Sequence, residues 1–281
     1  MTPIDLPRTA AAPRSIRPSP VFGGLLALTG LGAALAWQAG GNIDEAYGVG
    51  LGAVNRPGLA FAGTFLFVLA GWVVSLCLHE FGHAFAAYRG GDHTVAQKGY
   101  LTLDPRKYVD PGLSLVLPIL MVLIGGLGLP GGAVWINNGL LRSPKTRSIV
   151  SLAGPFANLV CGVVLCIPFS VGLLSVDRNF DHYYFACAVA FLAVLQFVAM
   201  FLNLLPIPGL DGFGAIEPYL SRKTLARIAP IRQYSFLILF LVIFRARGLT
   251  NFLWEKASSM THLLGVPRAL WVIGHELFKL L

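Results

Sequence analysis

Leu78-His79-Glu80-Phe81-Gly82-His83-Ala84 lies inside an apolar run from about Gly58 to Tyr88. Glu80 is the only charged side chain of that run, and besides the two histidines only Cys77 and Tyr88 could titrate there. On a helix, residues four apart share a face about one turn apart, so His79 and His83 project together. That spacing suits two ligands on one zinc ion, with Glu80 beside them, where a carboxylate can hold a water and take its proton. Polar and ionisable groups are costly in the middle of a spanning helix. Three of them together, in the order metal chemistry needs, outweigh the competing reading of two histidines satisfied by neighbouring helices.

The surrounding chain makes the membrane explicit. Of its 281 residues 56% are hydrophobic and only 12% are charged, against about 25% charged in an ordinary soluble domain. Several runs approach the ~20 apolar residues that cross a bilayer. The expected fold is therefore all-α, a polytopic membrane protein of about five to six transmembrane helices. The net charge of +8 does not point to nucleic acid. Lys and Arg gather in loops on one side, as the positive-inside rule expects, and no nucleic-acid motif is present. Cys77, Cys161, Cys166 and Cys187 all fall in apolar runs and imply no disulfide framework.

In order, residues 1–20 form a basic tail with Arg8, Arg14 and Arg17, expected to be disordered and cytoplasmic. Val21 to Ala39 reads as a retained first span rather than a signal peptide, and Gly58 to Tyr88 as the second. Leu101-Thr102-Leu103 and Ala133-Val134-Trp135-Ile136 read as short β-strands. Ser148 to Leu174 and Tyr183 to Leu205 are further spans, and Tyr234 to Phe244 is a short apolar core. Residues 248–281 mix Trp254 and Trp271 with Lys256, Arg268 and Lys279 and read as C-terminal interfacial or membrane-associated helices.

Parity constrains the run from Pro111 to Gly128. If it crossed the bilayer once, Arg142, Lys145 and Arg147 would lie outside and the acidic loop at Asp177 inside, against the positive-inside rule. If it dips in and returns, every basic loop is cytoplasmic and the polar candidates converge near one face. A re-entrant segment is expected there, covered by protein or lining a wet pocket.

Catalytic zinc usually takes three protein ligands. Asp211 closes a span amid Pro206, Pro208, Gly209 and Gly212. By position alone it is equally a third ligand or the cap of a turn. The ordered set of motifs is more specific. His79-Glu80-Phe81-Gly82-His83, then Ala153-Gly154-Pro155 with Asn158, then Asn203-Leu204-Leu205-Pro206 leading to Leu210-Asp211-Gly212 resembles the site-2 protease family of intramembrane zinc metalloproteases. The resemblance runs from about Val74 to Tyr219 and includes Leu101-Thr102-Leu103-Asp104-Pro105 and Asp110-Pro111.

The resemblance implies one zinc ion per chain held by His79, His83 and Asp211, with Glu80 as catalytic acid/base and Asn158 stabilising the oxyanion. It makes residues 21–247 a transmembrane metalloprotease domain. The strands near Leu101 and Trp135 would guide an unwound substrate segment. The implied partners are a transmembrane protein substrate and the lipid bilayer. The implied location is the bacterial cytoplasmic membrane, with the active site near the cytoplasmic face. The chain departs from the family pattern at Phe213, where a second glycine is usual, and no inserted PDZ domain is expected. The competing function is a zinc or proton-coupled transporter, which should show internal repeats and polar residues spread along a path; neither is seen.

Other motif-like stretches carry less. Gly126-Leu127-Gly128-Leu129-Pro130-Gly131 has no βαβ context and reads as a bend. His275-Glu276 lacks a second histidine, Lys279 standing in its place. His93, His182 and His262 read as solvated.

Overall fold

The computed structural model describes residues 16–41, 57–108, 134–174, 181–232, 234, 245 and 247–279. Its four long helices are α1 (Pro20–Gln38), α2 (Gly58–Gly90), α4 (Pro144–Ser170) and α5 (Tyr183–Asn203). Shorter helices are α3 (Thr94–Gln97), α6 (Asp211–Ile216), α7 (Arg222–Arg232), α8 (Arg247–Leu263) and α9 (Arg268–Phe278). Among the described residues four helices are long and apolar enough to cross a membrane, by length and composition. The protein is thus a mainly helical integral membrane protein. The expected re-entrant run 111–128 and the apolar stretch 235–244 lie outside the described residues.

Local chemistry starts the helices. Ser19 and Ser143 each precede a proline at the first helical position and accept a hydrogen bond from the backbone N–H three residues on, at 3.1 Å. Hydroxyl cap and proline are both suited to a helix start. α2 has 33 residues, about 50 Å at 1.5 Å each, longer than the ~30 Å hydrocarbon core. That excess carries its C-terminal turns beyond what a single crossing requires.

α5 is the central post. Of its most apolar window 89% is buried, against 17% for α1, so α1 sits at the periphery. Tyr183, Cys187, Phe191, Leu195 and Phe197 of α5 are fully or almost fully buried. α9 packs on α5 so closely that a side chain at Gly274 would strike the Cys187 carbonyl. On α4, Ile149, Leu152, Phe156, Val160, Val164 and Ile167 are exposed at spacings of three or four. They form one apolar stripe suited to acyl chains.

α1 and α2 cross backbone against backbone. A Cβ at Gly32 would fall 2.7 Å from Phe67 Cα, and one at Gly63 would fall 2.8 Å from Ala36 Cα. Small residues allow such approach between membrane helices. Gly32→Leu is expected to force the pair apart, costing ~1–3 kcal/mol as overpacking does. Thermal unfolding in detergent should show a clear drop, and an unchanged midpoint would contradict the crossing.

The long helices are tied at their ends. The Ser19 N–H donates to Thr102 O at 2.8 Å, and the Arg142 N–H donates to Gly90 O at 3.2 Å. The Ser148 hydroxyl donates to Ala215 O at 2.6 Å. The start of α1, the end of α2, the start of α4 and the segment after α5 therefore share one end of the molecule. At the other end, Gly40 and Gly41 meet Tyr183 and Tyr184, and Trp37 stacks on His182 at 3.5 Å.

The expected strands are not formed among the described residues. Tyr100–Thr102 is a 3-10 turn bracketed by left-handed Gly99 (φ 77°) and Leu103 (φ 57°). Tyr100, Leu101 and Leu103 are all buried, so the Leu-Thr-Leu alternation packs a turn onto α2 instead of facing a sheet. Val134 to Asn137 runs without strand pairing, and Ala133 lies outside the described residues. Asp104 caps the following turn, and the Arg106 guanidinium, 2.8 Å away, holds its carboxyl below the usual range.

Candidate metal centre

α2 buries His79, Glu80 and His83, and the turn after α5 brings Asp211 to them. The chain leaves α5 through Pro206 and Pro208, reverses at Gly209 (φ 98°), and starts α6 at Asp211. Gly212 lies against the backbone of Leu204 and Leu205, where a Cβ would collide with the Leu204 carbonyl. Glycine after the aspartate is thus a condition for folding the turn back onto its own helix. Asp211 Oδ2 lies 3.3 Å from His79 Nε2, and Asp211 Oδ1 lies 3.3 Å from His83 Nε2. The two Nε2 atoms are 3.1 Å apart.

The outward nitrogens decide the protonation. His83 Nδ1 lies 2.7 Å from the carbonyl of Val150, a pure acceptor, so this nitrogen carries the hydrogen. His79 Nδ1 lies 2.6 Å from Asn158 Oδ1, and Asn158 Nδ2 donates to Gln196 Oε1 at 3.0 Å. That amide orientation makes His79 Nδ1 a donor as well. Both neutral rings then aim Nε2 lone pairs at one point, where neither can bond the other. Asp211 Oδ2 is buried there without a hydrogen bond. Two imidazole nitrogens and a carboxylate oxygen, all within 4.8 Å of one another, suit a zinc ion with an open fourth position. Among the described residues this is the one such group.

Glu80 is buried beside the histidines and accepts a hydrogen bond from the Val134 N–H at 3.1 Å. The segment after Val134 is pinned twice more. Lys98 Nζ donates to Trp135 O at 3.2 Å, and the Asn137 N–H donates to Asp92 Oδ2 at 2.7 Å. It borders a cavity of about 440 Å³ whose wall includes His79, Glu80, His83, Asn158 and Asp211.

All five sequence candidates therefore line one cavity. Asn158 does so while bonded to the ring of His79. Sequence reading missed Gln196 and the Val150 carbonyl, and it named Gly154 in a motif without giving it a role. Gln196 was detectable as an amide in the middle of an apolar span; it is fully buried. The carbonyl has no sequence signature. A Cβ at Gly154 would lie 2.6 Å from His79 Nε2, so the absence of a side chain there leaves room for the ion. His93, His182, His262 and His275 stay outside the cavity wall.

Metal-bound histidines depend on the partner of their second nitrogen, and losing it typically costs 10–100-fold in metal affinity. Asn158→Leu is expected to weaken zinc binding by about that factor, with Asn158→Asp, which keeps an acceptor, close to wild type. Competition against a chelator measures it. Equal affinities in all three proteins would remove Asn158 from the ring's support.

The comparisons with known proteins converge. The chain is 46% identical over 267 residues to Putative zinc metalloprotease Rip2 of Mycobacterium tuberculosis, covering 94% of this chain and 95% of the relative. It is 48% identical over 266 residues to the protein of the same name in Mycolicibacterium smegmatis, covering 95% of each. To Putative zinc metalloprotease YwhC of Bacillus subtilis it is 30% identical over 194 residues, 66% of this chain and 84% of the relative. No family model matches the chain, and no solved structure matches it.

Proposed function

This chain belongs to the site-2 protease family of zinc metalloproteases, and from that premise we propose that it cleaves peptide bonds of transmembrane-segment substrates within the bilayer. The observation that carries the reading is the convergence of two Nε2 lone pairs, 3.1 Å apart, on the carboxylate of Asp211, beside a buried Glu80. Zinc in that position supplies a Lewis acid that acidifies water and polarises a carbonyl. His79, His83 and Asp211 would hold it. Glu80 takes the proton of the attacking water as oxygen bonds to the scissile carbon. It gives that proton to the amide nitrogen as the C–N bond breaks. Asn158 keeps one N–H beyond its bond to Gln196, and that hydrogen donates to the developing oxyanion, a contact typically worth ~3 kcal/mol.

A transmembrane helix shields its peptide bonds in its own hydrogen bonds, so the substrate must unwind locally. The Val134–Asn137 segment, pinned beside Glu80, borders the cavity that would receive it. The end of the molecule shared by the site and the start of α1 also carries Arg142, Lys145, Arg222 and Lys223. That end is the cytoplasmic one by the positive-inside rule.

Zinc content and cleavage of a model transmembrane substrate in detergent test the reading. Wild type is expected to hold one zinc per chain and to cleave, and Asp211→Ala to lose both. Zinc bound without cleavage, together with zinc uptake into proteoliposomes, would replace the protease with the transporter.

A further inference from the structure

The cavity wall contains a cation that catalysis does not use. Arg147 lines the same pocket as His79, Glu80 and Asp211. Its Nε is buried and has no hydrogen-bond partner. No carboxylate among the described residues forms an ion pair with it. Glu217, on the same wall, is engaged by other groups. A guanidinium without a carboxylate or hydrogen bonds to its Nε is poorly compensated, because its five N–H groups form a fork matched to a carboxylate.

Its register on α4 sets its distance from the chemistry. Arg147, Val150, Ser151, Gly154 and Asn158 stand at i, i+3, i+4, i+7 and i+11, one face of a helix, and all but Gly154 line the pocket, while Gly154 abuts both imidazoles. They form one stripe facing the cavity. Arg147 lies seven residues before Gly154, about 10 Å along the helix axis. An extended peptide covers that distance in about three residues at ~3.3 Å each.

We propose that Arg147 forms a carboxylate-binding subsite of the catalytic pocket, selecting substrates with an acidic side chain two to four residues from the cleaved bond. This rests on the protease reading and adds a substrate class to it. The carboxylate bonds the guanidinium in a partly desolvated pocket, where charge-assisted, bidentate contacts are strong and specific. The apolar remainder of the substrate lies in the membrane.

The test uses full-length protein in dodecyl maltoside, which has no anionic headgroup to occupy the arginine. The substrate is one transmembrane segment with Asp, Asn or Lys placed in turn at positions two, three and four on either side of the cleaved bond. The readout is the ratio of kcat/KM for Asp over Asn within each enzyme. Wild type is expected to prefer Asp about tenfold or more at one of these positions, the scale of one charged contact. Arg147→Gln is expected to bring that ratio to about one, and Arg147→Glu to reverse it in favour of Lys.

A wild type that cleaves Asp and Asn substrates equally at every position overturns the subsite and leaves the protease standing. An Asp preference that survives in Arg147→Gln also overturns it. Wild-type protein that holds zinc but cleaves none of the set, nor the unmodified segment, overturns the protease reading itself. A wild-type ratio of about one overturns the subsite even if an Arg147 variant fails to fold. Arg147→Lys, which keeps the charge, is then the variant that assigns a wild-type preference: a retained Asp preference that Arg147→Lys lowers supports the subsite, and one it leaves untouched overturns it.

Discussion

Glu80→Gln is expected to abolish cleavage while leaving zinc in place. The amide is nearly isosteric with the carboxylate, and it can still accept the Val134 N–H bond seen at 3.1 Å. The proposed ligand set is His79, His83 and Asp211, so the substitution removes none of the proposed ligands. It removes the proton acceptor. General acid–base groups contribute ~10²–10⁴-fold, and Glu80 serves in both directions, so a loss of at least ~10³-fold is expected. Zinc by elemental analysis and product formation by mass spectrometry are the two readouts. Zinc retained with substantial cleavage would assign the proton transfers elsewhere, and loss of zinc would make Glu80 part of the metal's support.

Gly154→Ala is expected to empty the metal centre without removing any ligand. The added Cβ falls 2.6 Å from His79 Nε2 and closer still to His83 Nε2, in the space to which both lone pairs point. Alanine is otherwise the better helix residue by up to ~1 kcal/mol, so the backbone of α4 gains from the change. The expected signature is a folded protein, by circular dichroism and size exclusion, whose zinc affinity is down by at least ~100-fold, the upper end for losses around a metal site. Cleavage falls with it. A Gly154→Ala protein that holds zinc as tightly as wild type would show that the rings and ion sit elsewhere than the lone-pair geometry places them.

These two predictions draw on different kinds of information. Glu80 was legible in the sequence because chemistry stood out against its background. A carboxylate between two histidines has no other reason to lie in the 58–88 apolar run. Helical periodicity alone placed His79 and His83 on one face. Long apolar stretches likewise located the four long helices to within a few residues. The strand reading at Leu101 failed because alternation over three residues cannot be told from a turn buried on every side. The positive φ of Leu103 is not written in any pattern of hydrophobicity. Asp211 stood between two readings, since a Pro/Gly-rich turn both welcomes an aspartate and aims it. Only the return of that turn onto α2, permitted by Gly209 and Gly212, brings its carboxylate to 3.3 Å from both histidines.

Sequence by itself determined what short-range rules can encode. These are a membrane chain from its composition, long helices from apolar length, and two candidate ligands and a candidate base from spacing along one helix. The tertiary structure alone decided what depends on contacts between distant segments. It brought His79 and Asp211 together across 132 positions, and gave the outer nitrogens of both rings their partners, Val150 and Asn158. It left space for the ion at Gly154 and placed Arg147 on the wall of the same cavity. The physical reason is that helix periodicity fixes direction only relative to a helix's own axis. Which face meets which is settled by packing, and here packing is set by small residues that let backbones touch.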